Sequence, residues 1–112
     1  MAAIKLSELG KEYAADYENA RQFEVLRAGE LGVYFRRGLF MHCIPYGQLQ
    51  QIFRRVLGAN VHVCCGSTNF EYHALVPVSD GREYELKCEK PEPLIEALDY
   101  IALKSPGTKI GK

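Results

Sequence analysis

The sequence contains no tryptophan, only two methionines and five prolines, and no surplus of charge, since fourteen basic and fourteen acidic side chains cancel. A chain that holds nucleic acid displaces counterions from phosphates and carries a basic excess to do so. That excess is missing, so nucleic-acid binding is not expected. Uninterrupted apolar runs are only a few residues long, too short to cross a bilayer as a helix, so no transmembrane segment is expected. The opening residues, Met1 to Lys5, lead into a charged stretch without the apolar centre of a secretory signal. Cys43, Cys64, Cys65 and Cys88 are even in number. Without an export signal they read as reduced thiols of a cytoplasmic protein rather than as disulfides. Phosphate-binding loops, dinucleotide fingerprints and serine nucleophile elbows are all absent, so neither a cofactor nor a catalytic class is expected.

What is present is ordinary globular material: 47% apolar and 25% charged residues over 112 positions. That suits one domain, residues 1–112, able to bury roughly two-thirds of its unfolded surface. Leu6, Leu9, Tyr13, Tyr17 and Ala20 recur at steps of three and four, which predicts an amphipathic N-terminal helix within residues 1–22, starting properly only after Gly10. Glu8, Lys11, Glu12, Asp16 and Glu18 form its expected solvent face. From Phe23 the texture becomes β. Strands are expected at Phe23–Arg27, Leu31–Arg36, Leu39–Ile44, Gln51–Leu57, Val61–Cys65, Phe70–Val78 and Glu83–Glu89. Breaks are expected at Arg37-Gly38, Pro45–Gln48, Gly58–Asn60, Gly66–Asn69 and Ser79–Arg82. A helix over Tyr46–Val56 competes with the fourth strand, because Leu49, Ile52, Phe53 and Val56 also fit helical spacing. Pro77 suggests an edge or a bulge. The clearest alternation runs from Glu83 to Glu89, with Tyr84, Leu86 and Cys88 inward and Glu83, Glu85, Lys87 and Glu89 outward. Pro91 and Pro93 then open a final helix with the stripe Leu94, Ile95, Leu98, Ile101 and Ala102, stopped by Ser105-Pro106-Gly107 before a basic tail at 105–112.

This order is α+β: an N-terminal helix, about seven antiparallel strands and a C-terminal helix. Over residues 23–104 it resembles the pleckstrin-homology-like superfold, a bent, partly open seven-stranded barrel with a capping helix. The residues carrying the likeness are the hairpin from Gly32 to Phe40, the turn Ile44-Pro45-Tyr46, the Asp80-Gly81 hairpin and the helix Leu94–Leu103. The same texture looks similar to small bacterial proteins of unknown function. Phosphoinositide-binding members resemble one another in a lysine- and arginine-rich first hairpin. Here that turn reads Arg27-Ala28-Gly29-Glu30, so phosphoinositide binding is not expected.

The function expected on these grounds is a non-catalytic binding module for a protein or peptide, or for a second copy of itself. Tyr13 and Tyr17 are the expected interface residues, and the edges near Val61–Cys65 and Phe70–Val78 are candidates for strand addition. The alternative is a small-ligand or anion site. Residues 23–56 hold five arginines against two glutamates, and Arg36, Arg37, Arg54 and Arg55 would form it. Against that, adjacent arginines on a strand point to opposite faces. His62, Cys64 and Cys65 are the nearest approach to a metal cluster, but they lack the C-x-x-C spacing of structural zinc sites. A thiol nucleophile served by His42, His62 or His73 lacks any feature that would lower its pKa. Tyr34, Phe35, Tyr72 and Tyr84 are the aromatics that base stacking would use.

Overall fold

β-Branched and aromatic residues fit the pleated surface of a sheet, and the region from Arg21 to Cys88 is built largely of strands. The computed structural model describes the backbone of residues 3–63 and 66–111, and the side chains of 3–56 and 73–111. Strand β1 (Ile4–Lys5) and a 3-10 turn (Leu6–Glu8) precede helix α1 (Lys11–Asn19). Strands β2 (Arg21–Phe23), β3 (Leu26–Ala28), β4 (Gly32–Arg37) and β5 (Phe40–Pro45) follow, then a second 3-10 turn (Tyr46–Gln48). Next come the long strands β6 (Gln51–Val63) and β7 (Gly66–Ser79), and the short β8 (Arg82–Glu83) and β9 (Leu86–Cys88). Helix α2 (Glu92–Lys104) and strand β10 (Lys109–Ile110) complete the order.

These strands make two sheets. The first is antiparallel in the order β1-β5-β4-β3-β2, and the second runs β10-β6-β7-β8 with β9 also on β7. Strand β10 lies parallel to β6; the other pairs are antiparallel. The class is therefore α+β, and neither sheet closes on itself among the described residues. Val33 and Phe35 point into the main core with Ile44, Ile52, Leu75 and Leu94. Phe35 meets Tyr84 with ring centroids 5.5 Å apart, joining the two sheets, and Phe23 meets Tyr100 of α2 at the same separation. A smaller cluster of Phe53, Ala74 and Val76 lies apart from the main core.

Several expectations are corrected. The N-terminal helix is shorter than 1–22 because Leu6–Glu8 winds as a 3-10 turn, while Ile4–Lys5 pairs with β5. Phe23–Arg27 is not one strand: Glu24 takes φ 57° and turns β2 into β3. Gln51–Val56 is strand, which removes the helical alternative. Gly58–Asn60 does not break the chain, and Gly66–Asn69 is no loop, because β6 and β7 pair residue for residue from Gln51↔Val78 to Val63↔Gly66. In α2 the buried positions are Leu94, Ala97 and Ile101, whereas Ile95 and Ala102 are exposed. The basic tail is held. Thr108 Oγ1 donates to the Leu49 carbonyl at 2.8 Å, so the Ser105 hydroxyl 2.6 Å away donates to Thr108, and β10 then pairs with Gln51–Ile52.

Pro77 explains why the most regular alternation of the sequence does not make one strand. Opposed residues of an antiparallel ladder alternate between exchanging two hydrogen bonds and exchanging none, and proline has no donor to exchange. Pro77 faces Ile52, and the carbonyls of both turn away from each other: Ile52 accepts from Gly111 N at 2.8 Å, Pro77 from Tyr84 N at 3.0 Å. On the far side of β7 the missing N–H splits the partner. Strand β8 pairs with Val78–Ser79 and β9 with His73–Leu75, leaving Tyr84–Glu85 between them. The predicted sidedness survives, with Tyr84 and Cys88 buried, Leu86 half-buried, and Glu83, Glu85, Lys87 and Glu89 exposed.

Candidate functional site

The expected interface on the N-terminal helix is largely engaged by the protein itself. The first four residues of β4, Gly32-Val33-Tyr34-Phe35, are all buried, because one face meets the core and the other lies under α1. Tyr17 packs edge-on against Tyr34 at 5.5 Å, and the Arg27 guanidinium lies 4.5 Å from the Tyr17 ring centroid. Asp16, assigned by spacing to the solvent face, turns inward. Its carboxylate accepts from Glu30 N (2.7 Å), Leu31 N (3.0 Å) and the Tyr34 hydroxyl (2.5 Å). Burial, then this hydrogen bond, push the Tyr34 hydroxyl far above its ordinary pKa. Tyr13 is half-buried. No sequence signal distinguished Asp16 from its acidic neighbours, since a cap for a distant turn depends on how the helix docks.

The four arginines divide between the sheets. Arg36 and Arg37 end β4, exposed, with Arg37 stacked 4.7 Å from the Tyr84 ring centroid. Arg54 and Arg55 lie on β6. Arg54 is exposed, while Arg55 pairs with Glu83 Oε1 at 2.9 Å and Glu85 Oε2 at 3.0 Å. The outward carboxylates of the alternating segment thus hold a specific partner. Tyr34, Phe35 and Tyr84, three of the four stacking candidates, are buried and present no ring faces to a base; the side chain of Tyr72 lies outside the described residues. So do the side chains of His62, Cys64 and Cys65. Among the described residues no group of three metal-ligating side chains forms.

The described thiols are Cys43 and Cys88, both free and buried. Burial pushes Cys43 from 9.0 up to about 12. Burial and donation to Glu24 Oε2 (2.9 Å) raise Cys88 as well. Neither is a thiolate nucleophile at neutral pH. The Cys43 shift has a stability consequence. Its folded pKa lies above its unfolded one, so its contribution is complete below pH 9 and is lost as pH rises from 9 toward about 12. Unfolding free energy in urea should fall across that window, at up to about 1.4 kcal/mol per pH unit from this group. Cys43→Ala should make the slope shallower without abolishing it, because Cys88, Tyr34 and Tyr46 are also raised by burial. An unchanged slope would contradict the assignment.

Surface hollows are shallow. One of about 200 Å³, lined by Tyr17, Arg27, Tyr34 and Arg36, is smaller than the cavities that usually hold small ligands. Another, of about 340 Å³, is apolar and lies between Leu6, Ala14 and the hairpin tip Leu39–Phe40, where Leu39 is 91% exposed.

The long strands offer more. Beyond the pairs Ile52↔Ile110 and His73↔Cys88, the described strands leave β6 and β7 paired only to each other, as a two-stranded ribbon. A thirteen-residue strand spans about 40 Å, and the molecule measures 53 × 29 × 25 Å. Its radius of gyration, 15.2 Å, exceeds the roughly 13 Å of a compact chain this long. The ladder is one-to-one, so no bulge interrupts the alternation of backbone direction. Since Ile52 turns its carbonyl away from β7, Arg54, Val56, Gly58, Asn60 and His62 turn their N–H and C=O groups outward as well. Strand edges are usually protected by lysine, proline or bulges. Residues 56–72 contain no lysine, arginine or proline.

Among the described residues no helix is long and apolar enough to cross a membrane. Compared with family models, with curated proteins and with solved structures, the chain matches none.

Proposed function

We propose that this protein is a non-catalytic interaction module that binds an extended protein or peptide segment by strand addition to the outer edge of β6. The observation that carries the proposal is that edge. From Arg54 to His62 alternate residues turn both backbone groups outward, with no charged or proline guard beyond Arg55. Main-chain hydrogen bonds would supply affinity, and the faces flanking the edge would supply selectivity. The raised pKa values of Cys43 and Cys88 support the non-catalytic part, and two free, buried thiols support a reducing, cytoplasmic setting. The pleckstrin-homology-like relationship belongs to the same proposal, supported by α2 following the strands and burying Leu94, Ala97 and Ile101 in their core. The alternative of an anion site has less support, because Glu83 and Glu85 already neutralise Arg55.

Selection of random peptides displayed on phage against the immobilised protein tests the reading. Enriched peptides should be rich in β-branched and aromatic residues, and their binding should be lost in Asn60→Pro, which removes an outward N–H. Enrichment of peptides that bind Asn60→Pro equally well would place recognition elsewhere, and no enrichment would end the peptide reading.

A further inference from the structure

We infer that the partner of this edge is a second copy of the same chain, with β6 pairing antiparallel to β6 of the copy so that two ribbons merge into a four-stranded sheet. The inference rests on the strand-addition reading and names its occupant.

A two-stranded ribbon is marginal in water by itself, and independent stability takes three or more strands or a packed face. This ribbon continues past its last flanking strand on either side, from Phe53 to Val63 on β6 and from Gly66 to Tyr72 on β7. The β6 edge is the longer of the two open edges. An antiparallel strand pair is isologous, because residue i faces j and j faces i, so an edge of this kind is complementary to its own copy about a two-fold axis. No second sequence need be matched to it.

The outward set Arg54, Val56, Gly58, Asn60 and His62 is centred on Gly58. With the axis there, Gly58 faces itself, Val56 faces Asn60 and Arg54 faces His62 of the copy. The two Arg54 residues then lie at opposite ends of the shared ladder, as do the two Arg55 residues. Like charges directly opposed across strands destabilise a pair, and this register opposes no two of Lys, Arg, Asp or Glu. Between Val56 and Val63 the strand carries no Lys, Arg, Asp or Glu, so the copies meet without repulsion. Strand β10 occupies the same edge at Gln51–Ile52, which marks where the intermolecular ladder must stop.

Sedimentation equilibrium of the full chain over about 1 to 100 μM reads the association, a range that brackets the micromolar affinities of weak interfaces. The wild type should be dimeric at the upper end. Val56→Pro and Asn60→Pro each delete a donor that points away from β7 and leave the intrachain ladder its own bonds. Each should weaken dimerisation at least about tenfold while the far-ultraviolet circular dichroism is unchanged. A wild type monomeric throughout, or dimers that persist in both variants, overturns the inference. Where a proline variant is misfolded, hydrogen exchange of the wild type decides. The Val56, Gly58 and Asn60 amides should exchange more slowly at high concentration than at low, and equal rates would overturn the inference. A monomeric wild type that still selects strand-forming peptides would sink the self-pairing and leave the strand-addition reading standing. A monomer that selects none would end both.

Discussion

Alanine at Gly32 is expected to cost about 3 kcal/mol of stability, because it overpacks a site whose neighbours are main chain. Gly32 faces Pro45 across the β4–β5 ladder. A Cβ built there would lie 2.5 Å from the Ile44 carbonyl oxygen and 2.9 Å from Pro45 Cα. A side chain could rotate away from such a contact, but a paired strand cannot. Relief requires β5 to move from β4, and β5 carries Cys43 and Ile44, both fully buried. Gly47 is the internal control, with nothing within 4 Å of its added Cβ, so Gly47→Ala should change stability by no more than about 0.5 kcal/mol. Urea unfolding of the two variants reads the difference. Equal midpoints would mean that the β4–β5 pair yields at Gly32.

The second large effect is expected at Asp16. Asp16→Ala removes the acceptor for Glu30 N, Leu31 N and the Tyr34 hydroxyl at once. Hydrogen bonds to a charged acceptor contribute about 1.5–3 kcal/mol each, and water replaces much of the two at the exposed turn, so a loss of about 3 kcal/mol is expected. Asp16→Asn, which keeps one carbonyl oxygen, should retain part of the stability. Tyr34→Phe removes a single donor and should cost less than either. If the carboxylate works as a hub, the Asp16→Ala and Tyr34→Phe losses will fail to add in a double-mutant cycle. Strict additivity would show that the hydroxyl and the turn amides are held independently. Gly29 shares this site, since its added Cβ would collide with the Asp16 carboxylate. The turn is thus shaped to the side chain that caps it.

How much of this was legible beforehand depended on whether the signal was local. The Asp80-Gly81 turn, with φ 53° and 75°, and the Gly38 turn, with φ 64°, follow from residues that tolerate left-handed backbone. The proline-opened start of α2 and the inward set Tyr84, Leu86 and Cys88 follow from spacing alone. The misreadings have one physical source: pairing with distant segments overrode local propensity. Gly58-Ala59-Asn60 reads as a break, yet the facing residues Glu71, Phe70 and Asn69 hold it in a continuous ladder. Lys109–Ile110 reads as a tail, yet the Gln50 carbonyl accepts from Lys109 N and the Ile52 carbonyl from Gly111 N. At the candidate site, the edge near Val61 and Phe70 was visible as β-rich sequence. That it is open, and which backbone groups face outward, depended on where Pro77 falls against Ile52, and no local pattern carries that register.

The β6–β7 hairpin also bears on the order in which the molecule assembles. Its ladder joins segments adjacent in the chain, and hairpins of that kind form within microseconds. The pairs β1–β5 and β10–β6 instead close loops of tens of residues, and the entropy of closure makes such contacts slow to form. This hairpin is therefore among the earliest segments to be structured, before β10 pairs with its base. If that edge pairs with its copy as inferred, two immature chains would meet through it at high concentration while the rest of each is still finding its place, and assembly would compete with the completion of folding.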